Sequence, residues 1–225
     1  VVAKGTIAGK PSVVIAIEGT FQGGSMGEVS GAKMAAALEL AAEDNRKGIP
    51  TQAVLCLETG GVRLQEANLG LAAIADIHAA IVDLRRYVPV IGIVAGTVGC
   101  FGGMSIAAAL CSYLIVTREA RLGLNGPQVI EQEAGIDEYD SRNRPFIWSL
   151  TGGEARERNG FVDKLVDDSL AAVRAATIEC MEKGKPASLR NERHDEFLTR
   201  LNAFDTRQQA DAELATELFA KGNRS

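Results

Sequence analysis

Two glycine pairs carry the chemistry this chain could perform. Gly60-Gly61 lies in the run Glu58-Thr59-Gly60-Gly61-Val62-Arg63-Leu64-Gln65-Glu66, and Gly102-Gly103 lies in Gly99-Cys100-Phe101-Gly102-Gly103-Met104-Ser105. Val54 to Leu57 and Val90 to Ala95 are apolar throughout and read as buried parallel strands. Leu64 to Arg86 and Met104 to Cys111 read as helices, so each pair occupies a strand-to-helix turn. A helix start leaves its first N–H groups unpaired and carries partial positive charge, and glycine lets a ligand approach the backbone closely. Two such turns suit a developing oxyanion.

Other reactive side chains are weighed against plainer readings. Cys100 adjoins the second turn and is a candidate nucleophile, but no histidine lies near it in sequence and a small buried thiol is the commoner case. Gly23-Gly24-Ser25-Met26-Gly27 satisfies the nucleophile-elbow pattern G-x-S-x-G, yet several residues separate it from the preceding strand, so Ser25 reads as a loop residue. His78 lies within the helix after the first turn, where it either relays a proton or packs with one nitrogen satisfied. Arg63 follows the first turn and can pair with a carboxylate or phosphate, with Glu58 and Glu66 as ordinary structural partners. No His, Cys, Asp and Glu cluster has metal-ligand spacing, and neither G-x-G-x-x-G nor G-x-x-x-x-G-K-[ST] occurs, so no metal or nucleotide cofactor is expected.

The elements that must position these residues follow from periodicity. A strand is expected at Val13 to Glu18, a glycine loop after it, and a helix near Ala32 to Arg46 stopped by Gly48 and Pro50. Further strands are expected at Tyr113 to Val116 and Arg121 to Leu124. Asn125 to Pro145 reads as a long acidic loop, a lid or partner surface against a solvated excursion. Phe161 to Val166 reads as a short return to the core and Leu170 to Met181 as a helix. Residues 1–182 form the main domain, and residues 183–225 a polar helical appendage that packs on the body or on a partner. The pattern alone defines a layered α/β domain.

Bulk properties narrow the class. A chain of 225 residues with 46% hydrophobic residues can bury a full core, and 24 glycines favour a turn-rich α/β fold over a helical bundle. The net charge of -5, with no basic block, argues against nucleic acid as a partner. Tyr87 to Thr117 carries no charged side chain at neutral pH and is long enough to span a bilayer before Arg118. Its glycines and Pro89 favour strand, turn and helix instead, so no membrane span is expected. Cys56, Cys100, Cys111 and Cys180 show no CxxC pairing and read as reduced thiols of a cytoplasmic protein. No signal-peptide pattern opens the chain, and its start at Val1 without a methionine leads us to expect a segment upstream.

With these residues in view a resemblance becomes specific. Phe21-Gln22-Gly23-Gly24-Ser25-Met26-Gly27, then Gly60-Gly61-Val62-Arg63-Leu64-Gln65-Glu66, then Gly126-Pro127-Gln128-Val129-Ile130-Glu131-Gln132 resemble the carboxyltransferase branch of the crotonase superfamily. Glu58 through Asn68-Leu69-Gly70-Leu71 to Ile77-His78 most resembles the beta subunit of biotin-independent malonate decarboxylase. The resemblance implies a crotonase-like (Clp/crotonase) superhelix of repeated strand-strand-helix units with a helical C-terminal appendage. It also implies decarboxylation of malonyl thioester to acetyl thioester and carbon dioxide through an enolate.

In that family a homologous gamma subunit shares the active site, and an acyl carrier protein delivers malonyl on a coenzyme-A-like prosthetic group, so this chain is expected to bind no cofactor directly. The implied roles are donor turns at Gly60, Gly61 and Val62 and at Gly102 and Gly103, with Arg63 and Gln22, Gly23, Gly24 and Ser25 near the thioester arm. Two other readings are a carboxyltransferase subunit of a biotin-dependent enzyme and a non-catalytic scaffold of an acyl-carrier complex. Clp-type serine peptidases share the superfamily and make Ser105 a rival nucleophile. The region Arg121-Leu122-Gly123-Leu124-Asn125-Gly126-Pro127 has no histidine to serve as its base.

Overall fold

The computed structural model describes residues 1–205, 207–208 and 211–219. Six strands form one sheet whose spatial order equals chain order: β1 (Val2–Ile7), β2 (Lys10–Ala16), β3 (Gln52–Cys56), β4 (Val90–Val94), β5 (Tyr113–Thr117) and β6 (Lys164–Val166). β1 and β2 form an antiparallel hairpin, and every later pairing is parallel. A parallel step needs a crossover, and crossovers are right-handed, so a sheet that always adds its next strand on the same side winds into a superhelix. The first three of these parallel steps cross over through α1 (Glu28–Arg46), α2 (Ala67–Leu84) and α3 (Gly103–Leu110).

Alternation along the strands sorts the core into two layers. Ala53, Leu55 and Leu57, with Val90, Val94, Leu114 and Val116, face α1, α2 and α3, where they meet Leu38, Ile77, Ile81 and Met104. Val54, Ile91, Ile93 and Ile115 face the other way, onto Ala176, Cys180 and Met181 of α7 (Leu170–Lys183). Strands covered on both faces are apolar at nearly every position, which explains the long hydrophobic runs of β3, β4 and β5.

Past the strand ends, single parallel bridges form a second small layer, Met26 with Val62, Thr59 with Cys100 and Cys100 with Leu122. Arg121 to Leu124 takes part here through bridges at Arg121 and Leu122, and so is not the regular strand expected. The stretch expected as a long loop holds α4 (Pro127–Ala134) and the start of α5 (Arg144–Thr151), each with proline in its first turn, where a missing N–H costs nothing. α1 starts at Glu28, before the expected Ala32, because Ser30 Oγ accepts from Gly27 N–H (3.0 Å) and Glu66 Oε2 accepts from Glu28 N–H (2.6 Å).

The uncharged stretch from Tyr87 to Thr117 is divided into β4, the second glycine turn, α3 and β5. Among the described residues the helix Leu64–Leu84 is long and apolar enough to cross a membrane by length and composition, but Ile74, Ile77, Ile81 and Leu84 on it are buried in the core. After α6 (Gly153–Arg158) and α7, helices α8 (His194–Asn202) and α9 (Ala212–Phe219) lie against the body. Phe197 stacks on Phe161 at 5.1 Å between centroids, and Phe219 lies 5.4 Å from the same ring.

Candidate active site

The small layer brings the two glycine turns together. Thr59 N–H donates to Gly99 O (2.7 Å), and Phe101 N–H donates to Thr59 O (3.0 Å). Gly61 has φ 104°, a region closed to side chains, and a Cβ there would stand 3.1 Å from Phe101 O and 3.3 Å from Gly102 Cα. Gly102, at φ 61°, is equally close from the other side, its notional Cβ being 3.9 Å from Val62 N. Glycine at both positions is what lets the turns meet backbone to backbone.

A full account of the polar groups shows which N–H groups remain. Gly60 N–H donates to Gly23 O (2.8 Å), Gly61 N–H to Thr59 Oγ1 (3.1 Å) and Gly102 N–H to Leu124 O (2.7 Å). Those three of the five expected donors are therefore already engaged within the chain. Val62 N–H and Gly103 N–H have no hydrogen-bond partner among the described residues, and Gly103 opens α3, where the helix offers its N–H none. Gly60, Gly61 and Gly102 act as the close-packed backbone that sets Val62 and Gly103 beside each other.

The Gln22 to Ser25 loop is fastened to the first turn. Besides the Gly60 bond to Gly23, Arg63 Nε donates to Ser25 Oγ (3.2 Å), Nη2 to Ser25 O (2.9 Å) and Nη1 to Glu66 Oε1 (2.7 Å). Of the two structural partners weighed for Arg63, Glu66 is the one it takes. Its bond to Glu28 N–H and then Arg63 hold the Glu66 carboxyl below the usual range. Gln22, Ser25, Val62 and Arg63 line a hollow of about 670 Å³. Ser105, Ile106, Leu122, Leu124, Arg156 and Phe161 line a separate apolar hollow of about 360 Å³.

The rival nucleophiles lack activation. Ser105 Oγ donates to Gly102 O (2.7 Å), and His78 Nε2 is bonded to Gly103 O (2.8 Å), while His194 pairs with Asp195 on α8. Ser25 Oγ accepts from Arg63 and sits in a 3-10 turn region well past β2, not at a sharp elbow. Cys100 and Cys111 are buried, and burial raises both thiols, Cys111 to about 12, so neither carries a thiolate at neutral pH. No group of metal-ligating side chains occurs among the described residues. Sequence reasoning missed the engagement of Thr59 Oγ1 and Leu124 O, and no sequence signal marks either.

This is the crotonase-type α/β fold of the carboxyltransferases, with a backbone site at the start of a buried helix. The carboxyl transferase domain model matches residues 1–198. A subunit in the crystal structure of a Pseudomonas malonate decarboxylase hetero-tetramer in complex with malonate is 66% identical, with a TM-score of 0.94 over 97% of this chain and 79% of that one. Transcarboxylase 12S, solved with methylmalonyl-coenzyme A bound, matches at 29% identity and a TM-score of 0.69 over 79% of this chain and 32% of that one. A malonyl-S-ACP:biotin-protein carboxyltransferase of Malonomonas rubra is 42% identical over 189 residues, and the match takes in 80% of this chain and 59% of that protein. The chain belongs to the carboxyl transferase family, in its malonate decarboxylase branch. It spans about three-fifths of the length of the Malonomonas relative.

Proposed function

We propose that this chain is the beta subunit of a malonate decarboxylase, a carboxy-lyase that holds the enolate formed when a malonyl thioester loses carbon dioxide. The observation that carries the reading is the pairing of Val62 N–H and Gly103 N–H, unengaged donors on two apposed turns. As the bond to the carboxylate breaks, its electron pair enters the thioester as an enolate and charge gathers on the thioester oxygen. N–H donors fixed where that charge develops lower the barrier, each by roughly 3 to 4 kcal/mol. The enolate carbon then takes a proton and leaves as acetyl thioester. The helix start at Gly103 adds a favourable dipole.

In this reading the thioester arm approaches through the hollow beside Gln22, Gly23, Gly24, Ser25 and Arg63, whose guanidinium keeps N–H donors beyond those in use. The arm belongs to a coenzyme-A-like group on a partner acyl carrier protein, and this chain binds no cofactor of its own. A homologous gamma subunit completes the site. The assembly is cytoplasmic, which suits four unpaired thiols.

The 42% identity to the Malonomonas carboxyltransferase favours one second reading, in which the same enolate passes its carboxyl group to biotin. Carbon dioxide release from malonyl-coenzyme A by the chain co-purified with its native partners, with avidin present, separates the two. Release that persists under avidin supports the decarboxylase; release that avidin abolishes assigns the biotin-linked reaction instead.

A further inference from the structure

His78 stands on α2, and its Nε2 lies 2.8 Å from the carbonyl oxygen of Gly103, the first residue of α3. A carbonyl only accepts, so Nε2 carries the proton and donates. Within a regular helix the Gly103 carbonyl already accepts the N–H four residues on, and the groups a helix start leaves unpaired are N–H, not C=O. The His78 bond therefore satisfies no orphan of the helix. It is a second hold on the Gly103–Met104 peptide.

One turn earlier on α2, Ile74 makes the matching apolar contact. A Cβ on Gly103 would stand 2.9 Å from Ile74 Cγ2, so α2 lies directly against the Cα of the residue whose N–H is free. α2 also follows the first turn, running on from Val62-Arg63 through a short 3-10 turn at Leu64–Glu66. One helix thus hangs from the first donor turn and grips the second by an apolar contact and a hydrogen bond. The remaining polar groups of the second turn are tied as well, Gly102 N–H to Leu124 O and Gly102 O to the N–H and hydroxyl of Ser105.

We propose that His78 is a positioning residue for the enolate site: its Nε2–H fixes the peptide at the start of α3 so that the Gly103 N–H keeps its aim relative to Val62. The proposal rests on the donor assignment made above. His78 touches no reacting atom in it.

The test uses the chain co-purified with its native partners, with carbon dioxide release from malonyl-coenzyme A as the readout. His78→Leu, which has no donor, and His78→Asn, whose shorter amide stops short of the position of Nε2, should lower kcat roughly 10- to 100-fold, the range that small misplacements cost, with KM within about twofold. His78→Gln, whose longer amide reaches the same carbonyl, should recover most of kcat. A kcat within twofold of wild type for His78→Leu or His78→Asn overturns the proposal, and so does a His78→Gln as slow as His78→Leu at equal thermal stability. Ile74→Ala/Gly103→Pro beside Ile74→Ala keeps the two levels apart. If that proline leaves kcat unchanged, the donor assignment itself fails; if it abolishes turnover while the His78 variants remain fast, only the positioning role fails.

Discussion

Gly61 and Gly102 meet backbone to backbone, with a Cβ on Gly61 only 3.3 Å from Gly102 Cα and 3.1 Å from Phe101 O. Gly61 also has φ 104°, so alanine there is strained by the backbone as well as by contact. Gly61→Ala should destabilise the chain by about 1 to 3 kcal/mol, read from urea unfolding, and should slow turnover by separating the turns. Gly61→Pro cannot serve as a donor test, since proline requires φ near −65°.

Removing the Gly103 N–H is the cleaner chemical test. Proline is tolerated in the first helical position, and Ile74→Ala makes room for its ring. Ile74→Ala/Gly103→Pro should lose about 10²- to 10³-fold in kcat relative to Ile74→Ala, with the far-ultraviolet spectrum unchanged. A loss under threefold would remove Gly103 from the mechanism.

Arg63 reaches its place through Glu66 and Ser25, so its influence should depend on that network. Arg63→Gln and Glu66→Gln should raise KM for malonyl-coenzyme A together, and the double variant should be no worse than the poorer single. An Arg63→Gln effect that Glu66→Gln does not share would make Arg63 a direct contact with the thioester arm.

The four thiols should be silent in the folded protein. Burial raises Cys56 and Cys100 and holds Cys111 at about 12 and Cys180 at about 11. A thiol reagent at pH 8 should react slowly until denaturant is added and then count four. Rapid modification of Cys100 in the native protein, with loss of turnover, would restore the nucleophile reading.

Lys164 of β6 and Lys183 of α7 both bond to Glu179, and they hold its carboxyl at about 2, far under the ordinary value of 4.5. A depressed acid stabilises the fold above its unfolded pKa and loses that contribution as pH falls through the folded one. Wild type should therefore exceed Glu179→Gln in thermal stability at pH 6, by a small margin for an exposed network, and the gap should close as pH falls from about 4.5 toward 2. A gap that widens on acidification would contradict the sign.

The apolar runs of β3, β4 and β5 and the glycine pairs after β3 and β4 determined, from sequence alone, a layered parallel sheet with two strand-to-helix turns, because a strand buried on both faces is hydrophobic throughout and a sharp turn selects glycine. The motifs around Gly23, Gly60 and Gly126 carried the resemblance to the malonate decarboxylase branch. Pro127 and Pro145 in an acidic stretch concealed α4 and the start of α5, since proline reads as a breaker yet fits the first turn of a helix. Which N–H groups stay free was decided only by tertiary structure. Thr59 Oγ1 takes Gly61, Gly23 O takes Gly60, and Leu124 O, over twenty residues away in the chain, takes Gly102. Hydrogen-bond accounts close in three dimensions, so sequence spacing could place the two turns but could not leave Val62 and Gly103 as their open donors, nor set His78 against the Gly103 carbonyl.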